Sequence, residues 1–369
     1  MTESCTAVTI TVNRLGDTSI PATVDYATTD VTASARADYV TTGGTLQFAP
    51  GDTSKSIAVL INDDSTLEGA ETFNVTLSNP SGVSLSAPAV AGVTITDNPV
   101  EPAGNVIDDA QNFVCQQYHD FLNRQPDQSG WDFWTNQITS CGADAACREA
   151  RRINVSAAFL LSIESQNTGY LVERLYKTAY GDAIGTSTAG GNHQVAVPVV
   201  RFNEFLADTQ QITQGVVVLQ TGWQQILETN TQAFIARFVQ RSRFTTAFPS
   251  SMSAAQFVDT LNANAGNPLS QSERNQLVSD LSASVKTRAQ VVRAVATDTD
   301  LINSEFNRAF VLMEYFGYLR RNPNDPQDPD HTGFDFWLAK LNQFNGNYVD
   351  AELVKAFLSS VEYRQRFGP

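Results

Sequence analysis

Over the first hundred positions, apolar and polar residues alternate with a period of two. Val8, Ile10 and Val12 form one run, followed by Val24-Tyr26, Leu46-Phe48, Ile57-Val59-Ile61, Phe73-Val75-Leu77 and Val93-Ile95. Between the runs stand Gly16-Asp17, Gly43-Gly44, Pro50-Gly51-Asp52, Asn79-Pro80-Ser81-Gly82 and Ala87-Pro88. Alternate side chains of a strand face opposite sides of a sheet. Short alternating runs divided by turn formers therefore predict a six- or seven-strand antiparallel, Ig-like β-sandwich over residues 1–98. Pro99, Pro102 and Gly104 mark a linker over 99–105, and Pro102 bars helix until just beyond it. The period then changes. Val114, Tyr118 and Leu122 recur four apart with Phe113 and Phe121 beside them, the apolar face of a helix.

This helical part repeats itself. Phe113–Trp134 returns as Phe310–Trp337, pairing Phe113 with Phe310, Tyr118 with Tyr315, Leu122 with Leu319, Arg124 with Arg321, Pro126 with Pro323, Gly130 with Gly333 and Trp134 with Trp337. Each copy predicts a helix ended by its Arg-x-Pro and a second helix beyond, for which Asp127 is the cap in the first copy. Weaker copies run from Leu171-Val172 through Trp223 to Phe238–Phe244, and from Phe257-Val258 to Ala294 around a turn at Gly266–Pro268. Repetition of packing residues marks stacked supersecondary units. The expected architecture is an all-β domain followed by an all-α array of stacked helical hairpins at 106–369, with units near 106–168, 169–248, 253–302 and 303–369. Gly181–Val199, rich in Gly, Thr and Ala, reads as a mobile surface loop.

Composition narrows the function classes. The chain has 369 residues and a net charge of −15, of which −9 falls up to Asn105, where twelve acidic residues face Arg14, Arg36 and Lys55. Phosphate binding needs a basic face, so nucleic acid is excluded as an expected partner and cations are favoured. No stretch approaches the roughly 18 apolar residues of a membrane span. No secretory signal precedes Thr2, which leaves a cytoplasmic protein or a portion of a longer chain.

The stretches DYATTD (Asp25–Asp30), ADYVTTGGTLQFAPGDTSKSIAVLINDD (Ala37–Asp64) and LEGAETFNVTLSNPSG (Leu67–Gly82), closing with VTITDN, resemble the Calx-beta domain over residues 2–98. The resemblance implies a cluster of calcium-binding carboxylates at one end of the sandwich. The matching positions are Glu3, Asp38, Asp63, Asp64, Glu68, Glu71 and Asp97. The alternative is that these acids are solvated loop residues of a spacer domain. Strong binders end the last strand in a run of Asp, whereas Asp97 here is followed by Asn98 and Pro99. Family members also carry a strand ahead of the position of Glu3. The groove it fills would take a strand from sequence outside this chain or, by β-augmentation, from another subunit.

The Phe113–Trp134 motif, with the closing AFLLSIES (Ala158–Ser165) and AFLSSVEY (Ala356–Tyr363), resembles the bacterial domain-of-unknown-function family 4214 over about residues 105–368. That family implies a secreted or surface location and carries no agreed activity.

Six residues separate Cys141 from Cys147 across a Gly/Ala turn, a spacing that allows a local disulfide and hence an oxidising compartment. Cys5 and Cys115 are left to bridge the two domains or to stay free thiols. Cys115 and His119, on one helix face, would with Cys141 and Cys147 make a Cys3His zinc set instead. Trp131, Trp134, Trp223 and Trp337 read as core, with stacking on sugar rings as the alternative. The insertion Asp325–Gly333 reads as a Pro-stiffened, helix-capping loop, with a calcium loop as its alternative. Acidic residues of the helical part fall mostly on predicted solvent faces, and no nucleophile motif or P-loop is present. The expectation is a non-catalytic secreted or cell-surface structural or adhesion protein, self-associating through strand complementation or bound to surface proteins, and rigidified by Ca2+. An extracellular carbohydrate-binding module with glycan partners, or a subunit accessory to a secreted enzyme, is the alternative.

Overall fold

Six strands form where the alternation predicts them: β1 (Thr6–Asn13), β2 (Ala22–Asp30), β3 (Gly43–Phe48), β4 (Ser54–Ile61), β5 (Glu71–Ser81) and β6 (Val90–Ile95). In this computed structural model, which describes residues 1–98 and 103–368, they make an antiparallel sheet in the order β3-β2-β5-β6 and an antiparallel pair β1-β4. The register sets Val24 opposite Leu46 and Ile10 opposite Ile57. Val24, Leu46, Phe48, Ile57, Val59, Ile61, Phe73, Val75, Val93 and Ile95 are buried in one core, with Tyr39 stacked on Phe73 at 4.2 Å between ring centres. Each such side chain contributes roughly 1.5–3 kcal/mol by leaving water. Thr2 bridges Thr96 in parallel, and the Glu3 amide donates to the Thr96 carbonyl at 2.9 Å, which brings Glu3 beside the end of β6. Among the described residues β1 pairs on one side only, with β4. The linker expected at 99–105 falls partly outside the described residues.

By contact density the chain divides into Met1–Phe159 with Leu358–Pro369, and Leu160–Phe357. The first unit adds to the sandwich α1 (Ala110–Gln117), α2 (Gln128–Thr139), α3 (Ala145–Leu160) and the short helix Val361–Arg364. The Asp109 side chain accepts from the Gln111 and Asn112 amides and so starts α1. The helix then widens into a π turn at Tyr118–Leu122 and ends on Asn123 at φ 52°. Arg366 holds the buried Asp120 at 2.9 Å within this unit.

The second unit contains α4 (Ile163–Asn167), α5 (Gly169–Tyr180), β7 (Asp182–Ser187), β8 (His193–Pro198), α6 (Phe202–Thr213), α7 (Trp223–Phe238), α8 (Ser242–Ala247), α9 (Ala254–Asn264), α10 (Gln271–Ser282), α11 (Arg288–Ala296), α12 (Thr299–Glu314), α13 (Thr332–Gln343) and α14 (Leu353–Leu358). The repeat is visible in side-chain detail. Tyr315–Leu319 is a second π turn, ended by Arg320 at φ 53°. Tyr118 stands edge-on to Phe159 at 4.7 Å and Tyr315 edge-on to Phe357 at 5.2 Å. Arg124 and Arg321 lie over these two tyrosine rings.

Residues 181–199 are not a loop. Val195 and Val197 share one face of the ribbon and Ile184, paired with Ala196, lies on the other, while Gly190 and Gly191, at φ 71° and 121°, turn β7 onto β8. The hairpin is tied down where the His331 amide donates to the Thr186 carbonyl at 2.9 Å and Ser187 Oγ donates to Asp335 at 2.6 Å. The small, polar composition reflects a thin ribbon with little apolar face, which is why the alternation is weak.

The acids of the helical part are also not all on solvent faces. Asp120, Glu173, Asp208, Glu305 and Glu314 are buried. Most have basic partners from other elements, such as Arg366 for Asp120, Arg241 for Asp208 and Lys177 for Glu305, and periodicity along one segment cannot show a partner on another.

Candidate metal centre

The loops at one end of the sandwich bring the acidic residues together. Asp38 precedes the buried Tyr39, Asp63 and Asp64 follow β4, Glu68 and Glu71 lead into β5, and Asp97 follows β6. Carboxylate oxygens of Asp38, Asp64 and Glu68 all lie within 4.8 Å of one another. Glu3, drawn in by the Thr2–Thr96 bridge, accepts from the Asp64 amide at 3.0 Å. Asp38 accepts from the Ser34 amide at 2.5 Å and shares a side-chain hydrogen bond with Glu71. Asp97 Oδ2 accepts from the amides of Glu68 and Gly69 at 2.8 and 2.6 Å, and so holds the loop that presents Glu68.

Glu3, Asp38 and Asp64 are buried, which removes them from the class of solvated loop acids. Among the described residues, no Lys or Arg forms an ion pair with any of the seven acids. Burial first, and then the charges of Asp64, Asp63 and Asp38, push the Glu3 carboxyl up to about 9. Burial, with Glu71 and Asp64 nearby, pushes Asp38 up to about 7. Glu68 reaches about 7 through burial and the charges of Asp38, Asp64 and Asp97. Glu71, Asp63 and Asp64 shift upward as well, burial again being the largest cause. Crowded carboxylates without a counter-cation raise one another in this way, and a bound cation reverses the effect. An all-oxygen, carboxylate-rich donor set suits a hard divalent cation.

Asp63 is turned differently from the others. Its Oδ1 accepts from Asn98 Nδ2 at 2.7 Å and its Oδ2 from Asn112 Nδ2 at 3.2 Å. The residue after Asp97 thus brings an amide to the acidic end where strong binders bring a carboxylate. Asn98 was visible in the sequence as a departure. Asn112, on α1, had no sequence signal, because its role depends on tertiary approach.

The other candidates resolve separately. Cys141 joins Cys147 and Cys5 joins Cys115, the latter pair with Cα atoms 6.1 Å apart. The zinc alternative is thereby overturned, since all four thiols are in disulfides. His119 is buried between Asn62 Oδ1 and Gln125 Nε2, each at 3.0 Å. In the insertion, Asp325 pairs with Arg201 and Asp328 with Arg321, and Asp330 accepts from the Thr332 amide, so its acids diverge instead of lining a calcium loop. All four tryptophans are half-buried, as large indoles at core margins are: Trp134 and Trp337 pack on the buried Phe159 and Phe357, in keeping with the core expectation, and Trp131 donates to the Gln111 carbonyl at 2.9 Å. No helix among the described residues is long and apolar enough to cross a membrane.

A family model described as the Calx-beta domain matches residues 1–99, and one described as Domain of unknown function (DUF4214) matches residues 104–168. The sodium/calcium exchanger Calx of Drosophila melanogaster is 41% identical over 97 residues, which are 26% of this chain and 10% of the exchanger. Sodium/calcium exchanger 1 of Mus musculus is 47% identical over 78 residues, 21% of this chain and 8% of that protein. The chain thus spans about a tenth of the length of these curated relatives. Among solved structures, the apo-form Calx CBD1 domain is 41% identical, covering 26% of this chain and 87% of that one with a TM-score of 0.26. The calcium binding domain CBD12 of CALX1.1 is also 41% identical, covering 26% and 41%, with a TM-score of 0.26. In chain order, then, the protein carries a Calx-beta domain at residues 1–99 and a DUF4214 domain at residues 104–168.

Proposed function

We propose that this chain is a non-catalytic extracellular structural or adhesion protein whose sandwich takes up Ca2+ at its acidic end and is stiffened by it. The observation that carries the reading is the convergence of Asp38, Asp64 and Glu68 within 4.8 Å without a basic partner, with the buried Glu3 beside them. Calcium takes six to eight oxygens, and these four carboxylates with Glu71 and Asp97 supply enough within one loop cluster. Asp63, satisfied by two amides, is the weakest of the seven proposed ligands. The names of the matched relatives, sodium/calcium exchangers 41% and 47% identical over this domain, support the same reading. An extracellular location is supported by two disulfides, which persist in oxidising compartments. The proposed ligands are acceptor carboxylates, suited to holding an ion.

Self-association is the second part of the proposal. It is supported by the outer edge of β1, open among the described residues, which offers unpaired backbone groups to a strand of another subunit. Calorimetric titration with Ca2+, and light scattering in calcium and in chelator, test both parts. Absence of calcium uptake ends the first. Assembly that continues unchanged when a complementing strand is fused in cis ends the second.

A further inference from the structure

The second unit contains a cleft of about 360 Å3 between α5, α7 and α11, within the size range of small-molecule sites. Its wall includes Asn167, Arg174, Trp223, Gln224, Glu228 and Arg293. Arg174 is 7% exposed, and its Nε donates to the Ala296 carbonyl at 2.9 Å, which fixes the guanidinium plane. No other hydrogen bond or ion pair engages it among the described residues. A nine-tenths buried guanidinium is thus left with both Nη groups for whatever enters the cleft.

The charges of the wall are unequal. Arg293 gives both Nη groups to Glu228 at 2.6 Å and is neutralised there. Glu173, next to Arg174 in sequence, is fully buried, and burial followed by the charge of Glu305 pushes its carboxyl up to about 8. Glu173 and Glu305 both act electrostatically on Arg174, but neither forms a hydrogen bond or ion pair with its guanidinium among the described residues. The cleft thus presents one guanidinium with no salt-bridge partner among the described residues, in a protein of net charge −15.

Trp223 opens α7 behind Gly222, at φ 85°, and its half-buried indole forms one wall. Asn167 and Gln224 add amides that both donate and accept hydrogen bonds. We infer that this cleft binds a sugar acid, a uronic acid or a comparable monocarboxylated pyranose, with its carboxylate on the Arg174 fork and its ring against Trp223. A guanidinium fork matches the two oxygens of a carboxylate. A single guanidinium fork suits a monoanion, whereas a phosphate dianion would remain half-neutralised. The aromatic wall takes the apolar face of the ring, and the amides take its hydroxyls.

The test is calorimetric titration of the whole chain with D-glucuronate, D-glucose and inorganic phosphate, in calcium and again in chelator so that the result stands apart from the calcium reading. The expected result is glucuronate binding at about 1 mM or tighter, with glucose weaker by about tenfold or more. Arg174→Lys keeps a charge without the fork, and Trp223→Ala removes the wall at a half-buried position. Each is expected to weaken glucuronate by about tenfold or more at unchanged melting temperature. No glucuronate binding, phosphate binding as tight as glucuronate, or undiminished glucuronate binding in both variants would each overturn the assignment.

Discussion

The phenol oxygen of Tyr118 lies so close to Gly130 that a β-carbon there would overlap it, and Tyr315 stands in the same relation to Gly333. Both tyrosine rings are pinned edge-on against Phe159 and Phe357. Gly130→Ala and Gly333→Ala are therefore expected to destabilise. An overpacked site costs about 1–3 kcal/mol, against the roughly 1 kcal/mol that Ala gains over Gly inside a helix. Urea unfolding of Tyr118→Phe/Gly130→Ala should show a smaller loss than the sum of the single variants, and strict additivity would refute the contact as the cause.

The same pair shows what the sequence made legible. Tyr118, Gly130 and Trp134 could be found because they return at Tyr315, Gly333 and Trp337, and a packing unit used twice writes its contacts twice. The strands were legible because Ile57, Val59 and Ile61 have one buried face. Gly181–Val199 was not, since a ribbon with one short apolar row looks like a loop. Within the acidic end, residue types marked the seven carboxylates. That Asp63 faces Asn112 depends on how α1 meets β4, which no local pattern encodes. Likewise, Arg174 gave no signal, because a buried, partly unpaired guanidinium is a property of several helices together.

Asp64 sits at the centre of the proposed calcium site, whereas Asp63 is already satisfied by Asn98 and Asn112. Asp64→Asn is expected to weaken Ca2+ binding by about tenfold or more, which is about 1.4 kcal/mol, and Asp63→Asn by clearly less. In chelator, Asp64→Asn should be at least as stable as the parent, because it removes repulsion. At a calcium concentration about one hundred times the dissociation constant, the parent gains about 2.7 kcal/mol. Equal calorimetric losses in the two variants would mean that Asp63 ligates as well.

Acid pH should stabilise the metal-free sandwich. Folded Glu3 is pushed up to about 9, and Asp38 and Glu68 to about 7, from ordinary carboxyl values of 4.5, 3.8 and 4.5. The folded state then holds protons that the unfolded chain releases. Stability from these groups is greatest below the unfolded values and is lost as pH rises through about 7 to 9. Calcium holds the same groups ionised, so its stabilising effect grows with pH over that window. Melting curves between weakly acidic and weakly basic pH should diverge, the chelated sample falling relative to the calcium sample. Parallel curves would exclude these carboxylates as the ion's ligands.

The two disulfides differ in the chain they close. Cys5–Cys115 spans 110 residues and Cys141–Cys147 spans 6. In the chain-entropy account, a loop of roughly 100 residues is worth about 4.7 kcal/mol and one of roughly 15 about 3 kcal/mol. Cys5→Ser/Cys115→Ser should therefore lower stability more than Cys141→Ser/Cys147→Ser. Urea denaturation of the two double variants compares them directly. The reverse order would show that the long bridge joins parts already constrained in the unfolded chain.

Glu314 gives the last contrast between the copies. It occupies the position of Gln117, whose amide donates to Tyr363 Oη at 3.3 Å and whose carbonyl accepts from Ser156 Oγ. Val354 stands where the first copy has Ser156, and Glu314, 0% exposed, has neither carboxyl oxygen in a hydrogen bond among the described residues. Burial raises its carboxyl well above the ordinary range, so the group is proton-bound in the folded state. Its contribution is therefore present below the unfolded pKa near 4.5 and lost as pH rises beyond it. Glu314→Gln removes that penalty while keeping the shape. The variant should melt higher than the parent at neutral pH by a few degrees, at roughly 2–4 °C per kcal/mol, and the gap should close as pH falls toward 4.5. Gln117→Glu, made in the copy that supplies partners for an amide, should destabilise at neutral pH. A Glu314→Gln protein that melts lower at every pH would mean that the carboxyl makes an interaction an amide cannot replace.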